Sequence, residues 1–315
     1  MAVKVAFIGS GGIARLHMGI LSQMEDVQMV GFCDVNQQRA SAVAEEYGGK
    51  DYTDYREMLG KEDLQAVYIC LPPFAHSTQE IDAAEKGIAL FIEKPVALTQ
   101  EKAEQIRQTI ETKGIISSVG YNWRYLNITQ KATELLNGRK VSFALGSFIG
   151  GMPGVPWWRV MSQSGGQIVE QTTHIFDLAR YLLGQVKTVY ATASSGSMLD
   201  VPNFDVHDAS TVALTFANGA VCTITSACIA PQSSYSGLTV YTRDLTVEFT
   251  SGRLTVSEPG RKELIENQND PYFEENKTFI EAVRSKDPSK IKSTYADAVQ
   301  TLRITLAANQ SIAEG

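Results

Sequence analysis

Apolar positions follow one rhythm up to about residue 120 of this chain and another beyond it. In the first stretch, short apolar runs at 3–8, 27–33, 66–71, 88–92 and 115–119 predict strands. Between them, apolar residues at helical spacing predict helices over 13–24, 39–47 and 77–86. Strand and helix in alternation imply a parallel, doubly wound sheet. Beyond residue 120 the texture changes to runs at 141–149, 188–194, 210–216, 220–228, 238–242, 245–249 and 254–256, with Asn218-Gly219 as a hairpin signal. That pattern predicts a largely antiparallel sheet. One helix is expected from near Gly166 to just before Gly184, and two amphipathic helices, 273–286 and 295–313, are expected at the domain junction. The fold class is thus α/β, with a doubly wound parallel-sheet domain at 1–120 and an α+β domain carrying a large, mostly antiparallel sheet at 121–315.

The turn after the first strand reads Gly9-x-Gly11-Gly12-Ile13-Ala14 and opens a helix. Gly9 permits the tight turn, Gly11 lets the backbone approach a pyrophosphate, and Ala14 in the third glycine position still allows close helix-to-strand packing. The helix N-terminus offers its free N–H groups to the phosphates. This is the Rossmann arrangement, and Gly9, Gly11, Gly12, Ile13 and Ala14 are its candidate cofactor contacts. The second strand runs into Asp34, 20 residues past Ala14, where a carboxylate accepts from ribose hydroxyls and repels a 2′-phosphate. NAD is the expected cofactor, and Arg39, which could reach a phosphate, keeps NADP possible.

The fifth run ends in Glu93-Lys94-Pro95. A doubly wound sheet holds its ligand beyond the carboxyl ends of the strands, so Glu93 and Lys94 stand where a cofactor or substrate arrives. Lysine is suited to polarising or protonating a hydroxyl or carbonyl. Leu71 and Pro72, at the end of another strand, are further cofactor contacts. His76 follows the Pro72-Pro73 break and reads either as a contact to nicotinamide or substrate or as a helix N-terminal residue, while His17, on the first helix, reads as structural.

Composition narrows the partners. The chain has 315 residues, 43% hydrophobic and 20% charged, with a net charge of −7 and no basic block. Those values fit a soluble protein with a small-molecule ligand and argue against nucleic acid or an anionic membrane. The four cysteines form no Cys-x-x-Cys pair and are expected to be reduced. With no leader-like start and no long apolar span, the expected home is the cytoplasm.

Four stretches in order resemble the glucose-fructose oxidoreductase and inositol dehydrogenase family, Gfo/Idh/MocA, over nearly the whole chain: Gly9-x-Gly11-x-x-Ala14, 93–99, 119–125 and 165–177. The resemblance implies that Lys94 lines the active site beside the nicotinamide, that Lys94-Pro95 is cis, and that the open face of the second sheet makes a homodimer or homotetramer. It implies a sugar, cyclitol or related polyol as substrate, with Lys94, His174 and Glu170 as the catalytic set. Tyr121 and Arg124 match family positions near the substrate or the cofactor amide.

The residues themselves support this chemistry. Glu170, His174 and Asp177 fall at offsets of four and three on the expected helix, and a histidine aligned by a carboxylate can take the alcohol proton while hydride leaves the carbon. The family's usual residues at 170 and 172 are Asp and Gly, whereas this chain has Glu170 and Thr172. Trp157-Trp158-Arg159, after a loop rich in glycine and proline, can stack on sugar faces and hold hydroxyls, or can serve packing. His207, between Asp205 and Asp208, reads as a polar loop residue, and no metal is expected. Two other functions share these features: redox-neutral elimination or epimerisation with retained NAD, and a non-catalytic NAD- or sugar-sensing regulator.

Overall fold

The computed structural model describes residues 2–232, 235–250 and 252–315. The chain divides into two compact units, each with its own sheet. The first comprises Met1–Ala97, Glu101–Asn122 and Asp270–Val299. The second comprises Leu98–Gln100, Trp123–Asn269 and Gln300–Gly315.

Six parallel strands form the sheet of the first unit: β1 (Val3–Ile8), β2 (Val27–Cys33), β3 (Lys50–Tyr52), β4 (Ala66–Ile69), β5 (Ala89–Ile92) and β6 (Ser117–Val119). Their order, β3-β2-β1-β4-β5-β6, is the dinucleotide-binding order, which reverses direction between β1 and β4 and opens a crevice there. Every residue of β4 and β5 is buried, as central strands covered on both faces require. Phe7, Tyr68 and Phe91 stack across three neighbouring strands, with centroids 4.8 and 4.7 Å apart.

Phe279 meets both Tyr68 and Phe91 edge-on at 5.6 Å. It belongs to the helix Pro271–Ser285, whose Phe279, Ile280 and Val283 join the core of this sheet. Asp270 caps that helix by accepting from the N–H groups of Tyr272 and Phe273. A single cut near residue 120 therefore leaves out the return of Asp270–Val299 to the first unit, and the helix expected at a junction covers the parallel sheet instead.

The second unit carries eight strands: β7 (Phe143–Ile149), β8 (Val186–Ser194), β9 (Ala209–Phe216), β10 (Val221–Ala227), β11 (Tyr235–Tyr241), β12 (Thr246–Thr250), β13 (Arg253–Glu258) and β14 (Arg261–Glu266). They run in the order β14-β13-β12-β11-β7-β10-β9-β8, antiparallel except for β7 beside β10. Gly219 turns the β9–β10 hairpin with φ of 87°. One face of the sheet is buried under Ile175, Phe176, Leu178 and Ala179 of the helix Thr173–Leu183. The strict alternation of buried and exposed residues along β9 leaves the other face open. All four cysteines are buried and unpaired.

The expected helix from Gly166 to Gly184 is two helices, Gly166–Glu170 and Thr173–Leu183. At the break, the Thr172 N–H reaches back five residues to the Gln167 carbonyl at 2.9 Å, a wide turn that resets the helical phase. Glu170 and His174 consequently lie on different helices, and their offset of four no longer places them along one face.

Candidate active site

In the first unit the chain leaves β1 at Gly9 with φ of 98°, and the Gly9 N–H donates to the Cys33 carbonyl at 2.7 Å. A Cβ at Gly9 would lie 2.3 Å from the Cys70 carbonyl oxygen and 3.3 Å from a methyl of Leu71, so only glycine passes between the ends of β2 and β4. Gly11 then caps the helix Gly12–Leu21 without any side-chain partner. Nothing lies within 4 Å of where a Cβ of Gly11 or Gly12 would stand. Open space and a helix N-terminus together fit a pyrophosphate. Ala14, fully buried, packs the helix onto the sheet.

Asp34 closes β2 and is buried. Its Oδ2 accepts from the Ser10 N–H at 3.0 Å, and its Oδ1 accepts from the Asn36 N–H at 2.9 Å and from Arg39 Nη2 at 3.0 Å. Three of roughly four acceptor positions are thus filled, and the carboxylate is fixed beside the glycine turn with one position to offer. Arg39 is exposed and already paired with Asp34. His76 is buried and hydrogen-bonded through Nδ1 to Glu80, so this histidine is part of a buried pair rather than an open helix start.

Glu93 turns inward. Its Oε1 accepts from His17 Nε2 at 2.9 Å and its Oε2 from the Lys94 N–H at 3.1 Å. The Lys94-Pro95 bond is cis. A Cβ at Gly120 would stand 2.6 to 2.9 Å from the Glu93 carboxylate, so the glycine of 119–125 makes room for the glutamate of 93–99. His17 is fully buried among Tyr68, Phe91 and Tyr272. Tyr121 is buried as well.

In the second unit, three contacts organise the residues of 157–177. Trp158 Nε1 donates to Glu170 Oε2 at 2.8 Å. Trp123 stacks on His174 with centroids 6.1 Å apart and planes 22° from parallel, and its other neighbour is Phe249. Arg124 grips Asp177 with two bonds of 2.7 and 2.6 Å beneath the ring of Tyr181, and Thr301 donates to the same carboxylate. Arg124 and Asp177 are both buried, so the arginine serves this pair. Trp157 packs in a small cluster with Trp158, Val206 and Cys228, and the Arg159 carbonyl accepts from the Asp205 N–H at 3.1 Å. Trp158 is buried and Trp157 half-buried. His207 meets Ser195 in a loop before β9.

Two family models match the chain: the oxidoreductase family NAD-binding Rossmann fold over residues 3–121, and the GFO/IDH/MocA C-terminal domain over 140–255. The chain belongs to the Gfo/Idh/MocA family. This Gfo/Idh/MocA protein is an oxidoreductase whose first unit is an NAD-binding domain. It is 28% identical to the uncharacterized oxidoreductase YrbE of Bacillus subtilis strain 168, with 99% of this chain and 95% of the relative aligned. It is 26% identical to the myo-inositol 2-dehydrogenase of Thermotoga maritima, over 99% and 97% of the two chains. In fold it superposes on a levoglucosan dehydrogenase structure with a TM-score of 0.89 at 21% identity, covering 100% of this chain and 98% of that one.

Sequence reasoning missed one aromatic ring in the second unit and two helix residues in the first. Trp123 reads as a local variation in sequence, yet it is the ring against which His174 lies. Asn276 and Glu275 sit near His17 and Glu93 but more than 180 residues away in sequence, and two adjacent polar residues on a helix carry no signal of that placement.

Proposed function

We propose that this chain moves hydride between NAD(H) and a carbinol carbon of a sugar, cyclitol or related polyol. The observation that carries the reading is the Glu93-Lys94-Pro95 turn. Glu93 is pulled into the interior by His17, and Lys94 follows it at the carboxyl end of β5, where a doubly wound sheet presents groups to its ligand. When bound, the nicotinamide accepts or returns the hydride. Lys94 orients and polarises the reacting oxygen, His174 exchanges its proton, and Glu170 acts on the position of His174. Trp123 lies nearly parallel to the His174 ring. The names of the inositol and levoglucosan relatives support a polyol substrate.

NAD is preferred over NADP, because a 2′-phosphate would meet the Asp34 carboxylate and Arg39 is already paired with it. Phe143 and Leu145 on β7 and Val221 on β10 stand exposed on one face of the second sheet, an apolar patch suited to a second copy of this chain. No helix among the described residues is long and apolar enough to cross a membrane, and unpaired cysteines accord with a cytoplasmic home.

The test is absorbance at the NADH wavelength with purified protein, NAD or NADP, and a panel of inositols, hexoses, pentoses and glycosides. A rise with one class and NAD establishes the dehydrogenase. Product without net NADH formation establishes the redox-neutral reading instead, and NAD binding with no product from any compound shifts weight to the sensing one.

A further inference from the structure

Behind the Glu93-Lys94-Pro95 turn lies a carboxyl that the site does not account for. Glu275, on the helix Pro271–Ser285, is fully buried, and neither of its carboxyl oxygens has a hydrogen-bond partner among the described residues. One donor or acceptor atom from each of Glu275, Glu93 and His17 falls within 4.8 Å of the others. The groups around Glu275 are His17 from the first helix, Tyr68 and Cys70 from β4 and its end, Glu93 from the end of β5, and Asp270 and Tyr272 from its own helix and cap.

Two occupants could reconcile these carboxyls, a cation or a proton. The hydrogen bonds of His17 choose between them. Asn276 Nδ2 donates one proton to the Tyr272 carbonyl at 2.7 Å, which fixes the orientation of the amide, and meets His17 Nδ1 at 2.8 Å with the other. Nδ1 is therefore an acceptor, and the ring proton sits on Nε2, donated to Glu93 Oε1. A metal needs a bare ring nitrogen, and both nitrogens of His17 are engaged. Glu93 receives two N–H donors, as an ionised carboxylate does, whereas Glu275 receives none.

We propose that Glu275 stores a proton behind the Glu93-Lys94-Pro95 turn, as a neutral carboxylic acid that keeps the buried pair at a single negative charge borne by Glu93, and is thereby a positioning residue for Lys94. Burial, reinforced by Glu93 and Asp270, pushes the Glu275 carboxyl well above its ordinary value, in keeping with this charge state. The link to Lys94 rests on the function proposed above; the charge state does not.

The charge state is read by infrared spectroscopy of the intact protein at neutral pH. The wild type should show the C=O stretch of a buried protonated carboxylic acid, and Glu275→Gln should remove it. Absence of that band from the folded wild type overturns the proposal without any variant. The second reading is stability against pH. The unfolded carboxyl loses its proton near pH 4.3 and the folded one retains it, so wild-type stability should fall as pH rises above that value. The folded-to-unfolded ratio of Glu275→Gln relative to wild type should rise by up to tenfold per pH unit over that range. A difference that does not change with pH would mean that Glu275 is ionised, and a stoichiometric metal lost on the same substitution would mean a cation site; either overturns the stored proton. Neither arm requires a substrate, so a chain inactive on every sugar leaves them intact. With a substrate in hand, the kcat profile of Glu275→Gln should extend further to alkaline pH than that of the wild type, and an unchanged profile overturns the positioning role.

Discussion

Trp158 Nε1 donates a hydrogen bond of 2.8 Å to Glu170 Oε2, tying the segment Pro156–Arg159 to the end of the helix Gly166–Glu170. Glu170, which stands where the resemblance implies an aspartate, is the residue that makes this bond. Removing the indole donor breaks a hydrogen bond to a half-buried carboxylate, a loss of about 1 kcal/mol. Trp158→Phe and Glu170→Asp should each lower stability in urea unfolding by about that much. The double variant should be no worse than the worse single one, because both break one bond. Fully additive losses would show that the two side chains act separately.

Gly120 faces Glu93 so closely that a methyl group would overlap its carboxylate. Gly120→Ala should push Glu93 off His17 and disturb Lys94, whose N–H the same carboxylate accepts. Overpacking of this kind costs about 1–3 kcal/mol. The expected result is a fall in kcat of at least about tenfold, as misplacement of a catalytic group by fractions of an ångström produces, with NAD affinity by fluorescence titration nearly unchanged. Weaker NAD binding with kcat intact would place the damage in the glycine turn instead.

Much of this architecture was legible in the sequence because it rests on local rules. Strands such as β4 and β5 are buried on both faces and so appear as unbroken apolar runs. Gly9 is demanded by a neighbouring backbone, and the motif states that demand directly. What the pattern does not show is set by contacts far along the chain. The edge strands β3 and β14 expose most of their residues and carry no apolar run. The break between Glu170 and Thr173 hangs on one five-residue backbone bond with no residue type to announce it. Arg124 reads as a substrate ligand until Asp177 is seen beside it, and Trp123 reads as incidental until it is found against His174.

In the function proposed above, cofactor choice turns on Asp34. Its carboxylate is held by the N–H groups of Ser10 and Asn36, so replacing it removes both a ribose acceptor and the charge that opposes a 2′-phosphate. Asp34→Ser should raise the ratio of kcat/KM for NADP over NAD by at least about tenfold, equivalent to about 1.4 kcal/mol of differential binding, and should free Arg39 to meet the phosphate. The double variant Asp34→Ser, Arg39→Ala should lose most of the gain. Steady-state kinetics with both cofactors decide it; an unchanged ratio would mean that the adenosine ribose binds elsewhere.

The thiols give a prediction about pH with a definite sign. Burial raises Cys33 to about 12, with Asp34 and Asp54 adding to it, and raises Cys222 to about 12 and Cys228 to about 11. An unfolded thiol loses its proton near 8.5, so folded and unfolded chains hold equal thiol protons below that pH, and the folded chain holds more between 8.5 and about 11. Stability should be indifferent to these groups at pH 7 and should fall as pH rises through the alkaline range, by up to tenfold in the folding equilibrium per thiol per pH unit. The same protons make the native thiols poor nucleophiles. A thiol reagent at pH 8 should leave the native protein unlabelled over hours and modify four cysteines once urea unfolds it. Rapid labelling of a native cysteine would show that its surroundings open, and mass mapping of the labelled peptide would say where.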